Sequence, residues 1–230
     1  MKILASDFDN TIYLENDKEK TKENIVAIKR FVSLGNIFCI ITGRSYPDLK
    51  KVLIEEDIPY TYLICEDGAK IFNNMDYCLN TILLDKKEVD EIVSFAEENN
   101  WDYYLDDGYN HTENHSDCVK VVIYCNDDFQ RKEIVESIKK KVDVYIYASR
   151  YHVNIINKSV NKENALKKLF NIEYLNINLL YVIGDNYNDY EMLKAYNGGV
   201  MKNHHKKLDG LGKKEYISLK DYIEELITIK

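Results

Sequence analysis

The 230-residue sequence predicts an α/β fold, a parallel sheet with helices on its faces, interrupted by a small α+β module. Three observations carry that expectation. Apolar, strand-like runs alternate with amphipathic helical stretches over the first third of the chain. Near Tyr77 the alternation gives way to a helix-strand-strand pattern that occurs twice. The α/β rhythm then resumes with "NKENALKKLF" and continues toward the end of the chain.

The first run, Ile3 to Phe8, reads as a buried strand with Asp7 and Asp9 at its end. "TKENIVAIKRFVSLG" follows as a helix, with Thr21 placed to cap it, Ile25, Ile28 and Val32 at helical spacing, and Gly35 as its stop. "NIFCIITGR" is a continuous β-branched and aromatic run, as expected of a strand buried on both faces. Ser45 and an early Pro47 open the helix "SYPDLKKVLIEED". "YTYLICEDGA" is a third buried strand. Beyond Tyr77, the helix "LDKKEVDEIVSFAEENN" leads into strands "WDYYL" and "CVKVVIYC". The helix "DFQRKEIVESIKKK" leads into "VDVYIYA" and "HVNIIN". Each strand pair is close enough to be antiparallel. After "NKENALKKLF" come strand "LLYVIGD", helix "NDYEMLKAY", short strand "GGVM", and a terminal strand and helix in "YISLKDYIEELITIK". The expected domains are a discontinuous core, 1–79 with 158–230, and an insert, 80–157.

Composition narrows the function classes. Hydrophobic residues make up 45% and charged residues 30%, which fits a globular chain rather than a disordered one. A net charge of −8 argues against general nucleic-acid binding, which needs a basic face. No stretch approaches the ~18 apolar residues of a membrane span, and the first residues enter a strand with no signal-peptide layout. The five cysteines form no CxxC pair, and Cys39 and Cys65 sit in strand-like runs, so buried thiols in a reducing compartment are expected. Cytoplasmic location is the resulting expectation. Oligomeric state has no signature in the sequence.

In a parallel α/β sheet, ligands bind beyond the carboxyl ends of the strands. The first strand presents Asp7 and Asp9 there, the second Thr42, Gly43 and Arg44, and the third Glu66, Asp67 and Gly68. "LLYVIGDNYND" presents Asp185, then Asn188 and Asp189 at the start of its helix. At least four carboxylates on one edge, Asp7, Asp9, Asp185 and Asp189, repel one another unless a cation sits among them. An all-oxygen set suits Mg²⁺, which binds through one or two carboxylates plus substrate phosphate. The Thr42 hydroxyl, with Lys162 at a helix N-terminus, is what an incoming phosphate requires.

"DFDNT", "ITGR", the lysine of "NKENAL" and "GDNYND", in this order, resemble the four signature motifs of the haloacid dehalogenase superfamily. The α-β-β-α-β-β insert resembles the cap of its Cof-like subgroup, which contains sugar phosphatases and related phosphohydrolases. The resemblance covers essentially the whole chain. It implies a Rossmann-like core with an inserted α+β cap, and a Mg²⁺-dependent phosphatase of a small phosphorylated metabolite, a sugar phosphate first. Asp7 is then the nucleophile, and Asp9 protonates the leaving oxygen and later activates water. Thr42, Gly43 and Lys162 hold the phosphoryl oxygens, Asn188 helps place the phosphate, and Thr11 holds the loop geometry. The metal falls to Asp7, the Asp9 backbone carbonyl and Asp185, with Asp189 in support. An acid in the Asp9 role distinguishes the phosphatases from the dehalogenases. A phosphosugar mutase of the same superfamily and a non-catalytic phosphometabolite-binding protein are the rival readings.

Several stretches admit other readings. Lys158, Lys167 and Lys168 lie near Lys162, and Asp189 fits a helix cap as well as a metal role. "HTENHSDC" offers His111, His115 and Cys118, but a polar loop with no helix to align them argues against zinc. The loop Asp106–Cys118 is instead the candidate for substrate selection. "KNHHKKL" reads as a solvated face, with Lys202 or Asn203 at the rim of the site. Asp67 stands where Cof-like proteins usually carry Asn, which puts the transfer of substrate identity in question.

Overall fold

The computed structural model describes residues 1–148, 151–196, 198–212 and 214–229. In chain order the elements begin with β1 (Ile3–Asp7), α1 (Lys18–Ser33), β2 (Ile37–Ile41), α2 (Tyr46–Glu55), β3 (Tyr62–Cys65), β4 (Lys70–Asn73) and β5 (Cys78–Thr81). They continue with α3 (Lys86–Glu98), β6 (Tyr103–Asp106), β7 (His111–Thr112), β8 (Lys120–Tyr124), α4 (Asp128–Lys141), β9 (Val144–Ala148) and β10 (His152–Asn157). The last are α5 (Lys162–Ile172), β11 (Leu180–Gly184), α6 (Tyr190–Tyr196), β12 (Gly199–Met201), β13 (Glu215–Tyr216) and α7 (Leu219–Thr228). The chain divides into two compact units, residues 1–80 with 161–230 and residues 81–160.

The sheet of the first unit runs β13-β12-β11-β1-β2-β3-β4-β5. From β13 to β3 its pairings are parallel, and β4 turns back antiparallel on β3. The parallel sheet expected from the sequence thus gains an antiparallel strand, β4, with β5 beyond it at the edge. Alternate residues of the central strands feed two cores. Leu4, Phe38, Ile40 and Leu63 pack with Ile28, Phe31, Leu53 and Ile223 on one face. Ile3, Ala5, Cys39, Ile41 and Ile64 pack with Leu166, Leu169 and Met192 on the other. Burial on both faces is why these strands read as unbroken apolar runs, and each large side chain contributes about 1.5–3 kcal/mol.

β1 lies between β2 and β11, so the chain leaves it on one side and returns on the other. Such a switch point opens a crevice at the carboxyl ends of the two strands. Asp7 and Asp185 stand at that crevice.

One cap differs from expectation. Asp17, not Thr21, caps α1, its side chain accepting from Lys20 N at 3.0 Å. Thr21 lies inside the first turn, where its hydroxyl accepts from Leu14 N at 2.9 Å and ties the preceding loop to the helix.

The second unit is an antiparallel sheet, β7-β6-β8-β10-β9, with α3 and α4 packed on one face. Leu105, Val121, Ile123, Val153 and Ile155 meet Val89, Ile92, Ile134 and Ile138 there. The expected α-β-β-α-β-β order holds with one strand added. "HTENHSDC" is not a plain loop: His111 and Thr112 form β7, and His115–Asp117 is a 3-10 turn. His111 stacks on Tyr104 with ring centroids 4.1 Å apart, and His115 Nδ1 meets Asp90 Oδ1 at 2.6 Å. The five cysteines are free thiols, four of them buried. No helix among the described residues is long and apolar enough to cross a membrane.

Candidate active site

The turn after β1 is held by one carbonyl. Phe8 O accepts from the backbone N–H groups of Thr11, Ile12 and Tyr13, and Asn10 sits in the left-handed region at φ 59°. Asn can adopt that backbone because its short polar side chain relieves the local cost. Asn24 Nδ2 donates to the Thr11 and Ile12 carbonyls, and Thr11 Oγ1 donates to Asp185 Oδ1 at 3.1 Å. The turn and the end of β11 are thereby locked together.

An extended chain would have set Asp9 beside Asp7, but the strand ends at Asp7. Asp9 lies in the turn, and its carboxylate receives a fork from Arg44, Nη2 to Oδ1 at 2.5 Å and Nε to Oδ2 at 2.9 Å. The guanidinium lies 5.1 Å from the Phe8 ring centroid. This pair with Asp9 holds the Arg44 pKa above its ordinary value.

Beneath the turn is an ammonium among acids. Lys162 opens α5, whose cap is Asn161, and its Nζ donates to Asp7 Oδ1 and Asp189 Oδ1 at 2.5 Å each. Lys162 is 1% exposed and Asp189 0%. Burial alone would lower the Lys162 pKa, but Asp189, Asp7 and Asp67 outweigh it and hold the pKa above the ordinary lysine value. Burial pushes Asp7 well above the usual carboxylate range, with Lys162 opposing and Asp189 and Asp185 adding. Burial and then Asp189 push Asp185 up to about 6.

Oxygens of Asp7, Asp185 and Asp189 lie within 4.8 Å of one another, and all three residues are buried. One ammonium leaves this trio with excess negative charge, and a hard divalent cation fits an all-oxygen set of this kind. Asp189 is already well occupied. Its Oδ1 accepts from Lys162, and its Oδ2 accepts from the N–H groups of Asp185 and Asn186 at 2.9 Å. It therefore fits a place behind Asp7 and Asp185, holding Lys162 and the strand end.

A cleft of about 250 Å³ is lined by Asp7, Asp9, Thr42, Gly43, Asp185 and Asn188, together with Asn10, Arg44 and Asn186. Lys162 reaches it through Asp7. Two of the three lysines near Lys162 have other partners: Lys158 pairs with Asp143, and Lys167 with Glu163 at 2.5 Å. Thr42 is 1% exposed, and its Oγ1 accepts from Arg44 N at 3.2 Å. Two features were outside the sequence reading. One is Arg44 on Asp9; the other is Asn188 Nδ2 donating to Asp67 Oδ1 at 2.9 Å. The "KNHHKKL" run touches the site through its backbone, His205 N donating to Asp185 O at 2.7 Å.

Known proteins resemble this chain in sequence and in fold. The model of the haloacid dehalogenase-like hydrolase family matches residues 4–115 and 103–214. A protein of Buchnera aphidicola subsp. Baizongia pistaciae, named as a candidate phosphatase, is 26% identical over 86% of this chain and 85% of its own. Among solved structures, a haloacid dehalogenase-like hydrolase from Bacteroides thetaiotaomicron superposes with a TM-score of 0.83 at 17% identity, covering 98% of this chain and 99% of that one. A subclass IIB sugar phosphatase of the superfamily superposes with a TM-score of 0.78 at 15% identity over the full length of both chains.

Proposed function

The chain belongs to the haloacid dehalogenase-like hydrolase family, and from that membership and its cleft we propose how it acts. It is a phosphoric monoester hydrolase that works with Mg²⁺, through an aspartyl phosphate on Asp7, on a small phosphorylated metabolite. The observation that carries this reading is the Asp7 carboxylate, set at a strand end, lining the cleft and hydrogen-bonded to a buried lysine. A free carboxylate turn has no use for a lysine sequestered from water.

Asp7 attacks phosphorus, forming the O–P bond as the bond to the leaving oxygen breaks. Asp9 gives its proton to that oxygen, then takes one from the water that cleaves the aspartyl phosphate and releases inorganic phosphate. The Arg44 fork holds Asp9 as the carboxylate, so it opens on one oxygen for the proton-giving step and re-forms once the proton has gone. Lys162, Thr42 and the Gly43 backbone offset charge on the phosphoryl oxygens, and Asn188 places them. The Asp7 and Asp185 carboxylates, with the Asp9 carbonyl, would hold Mg²⁺, whose charge offsets that of phosphate and acids together. A sugar phosphate is the first candidate substrate, as it is for the subclass IIB relative. The insert, 80–157, supplies selectivity, with 106–118 as its leading segment, and the protein acts in the cytoplasm.

Phosphate release from a panel of phosphorylated sugars, nucleotides and cofactors tests the proposal. Release that needs Mg²⁺, stops with chelator and is lost in Asp7→Asn is the expected result. Transfer between positions of one sugar with little free phosphate would instead identify a mutase. Binding of phosphate esters without turnover would identify a sensor.

A further inference from the structure

Residues 66–68 form a turn of uncommon backbone, with Glu66, Asp67 and Gly68 at φ 52°, 55° and 118°. Side-chain-bearing residues rarely take this conformation, and Asp is among the few that tolerate it. The turn is fastened to the loop after β2, Glu66 N donating to Arg44 O and Asp67 N to Thr42 O, both at 3.0 Å. At Gly68 a Cβ would lie 2.7 Å from Asn161 O, so the turn also lies close against the cap of α5. Asp67 is thus aimed, 8% exposed, at two groups of the cleft. Its carboxylate accepts from Asn188 Nδ2, and it closes on Gly43, where a Cβ would lie 3.1 Å from Oδ1.

We propose that Asp67 is a positioning residue for the phosphate pocket, acting through Asn188 and Gly43. The inference rests on the phosphatase reading above. A carboxylate only accepts hydrogen bonds, so it dictates which end of the Asn188 amide faces it. The nitrogen turns to Asp67, and Oδ1 is left buried without a hydrogen-bond partner. An amide free to rotate would seek a donor for that oxygen, and the bond to Asp67 opposes the rotation. The second N–H of Asn188 remains available to a phosphoryl oxygen. At Gly43 a side chain would crowd the carboxylate, so the glycine leaves room for Asp67 to lie close against this loop.

The carboxylate's own charge opposes a phosphate, so the two effects differ in sign. Orthophosphate binding in the presence of Mg²⁺, and KM and kcat on a small aryl phosphate, separate them. The full-length variants are Asp67→Asn, Asp67→Gly, Asn188→Ala and the double Asp67→Gly/Asn188→Ala. Glycine adopts positive φ freely, so Asp67→Gly keeps the turn, and a thermal melt checks this. Asp67→Gly should weaken orthophosphate binding and raise KM by about tenfold, with kcat within about threefold. Asp67→Asn retains the shape and an acceptor, and should stay within about threefold of wild type in both. On the Asn188→Ala background, Asp67→Gly should add little. Tighter or unchanged phosphate binding in Asp67→Gly would overturn the proposal, as would losses that add in the double variant. A wild type that binds orthophosphate but hydrolyses nothing would overturn the phosphatase reading alone; a wild type that does neither would remove both.

Discussion

Lys162 is poised between two acids it must keep apart and a phosphate it must meet. Its ammonium offsets charge that Asp7 and Asp189 cannot share with water, because all three side chains are buried. Removing one partner of a buried charged cluster costs about 3–5 kcal/mol, and removing a charge that stabilises the transition state costs about 10²–10³ in turnover. Lys162→Met should therefore lower both the melting temperature and kcat on a small aryl phosphate. A kcat within tenfold of wild type would show that the lysine is structural only. The positions of Asp7 and Asp185 were legible because each follows an apolar run to a strand end, and that of Lys162 because it opens a helix. Arg44 was not. Nothing in "ITGR" says which carboxylate a flexible guanidinium will meet, and the fork onto Asp9 exists only once the turn after β1 has formed.

At the scale of elements, the carboxyl end of β11 is the tightest place in the site. A Cβ on Gly184 would lie 2.4 Å from the Asp189 carboxylate. Gly184→Ala should push Asp189 off the Asp185 and Asn186 N–H groups and off Lys162. Overpacking of this kind costs about 1–3 kcal/mol, and here the displaced group also holds Lys162. A lower melting temperature together with reduced turnover is expected; a lower melting temperature with full turnover would detach Asp189 from the chemistry. Elements that bury two faces or one helical stripe were readable in the sequence, since their length and period come from the core. β4 and β5, four residues each, and β7, two residues, carry no period to read. They exist because a neighbouring strand offers them a ladder. The cap of α1 was misplaced for a related reason: Asp17 and Thr21 both suit a cap, and Thr21 has a tertiary bond that draws it inside the helix.

At the scale of the molecule, an acidic chain of net charge −8 concentrates buried carboxylates at one sheet edge, and pH should read that arrangement. Asp185 is raised to about 6 in the folded state, so between its ordinary value and 6 the native protein binds more protons than the unfolded one. Its contribution to stability is therefore full below about pH 4 and lost as pH rises through about 6. Without divalent metal, Asp185→Asn should melt above wild type at pH 7.5 and close to it at pH 4.5. With Mg²⁺ at pH 7.5 the order should shrink or reverse, because wild type alone keeps both carboxylates. An Asp185→Asn protein that melts below wild type at pH 7.5 in chelator would mean that no charge conflict exists at that edge. The α/β class and the insert were legible because they rest on the order of long elements, whereas Asp67 on Asn188 rests on three consecutive left-handed residues that no period announces.

The most direct test of the whole account is a single-turnover reaction with a phosphorus-labelled aryl phosphate and Mg²⁺, quenched in acid. The expected result is transient label on the peptide containing Asp7, released by hydroxylamine and absent from Asp7→Asn. Phosphate released in a single turnover with no label on the protein, or label on any other residue, would contradict it.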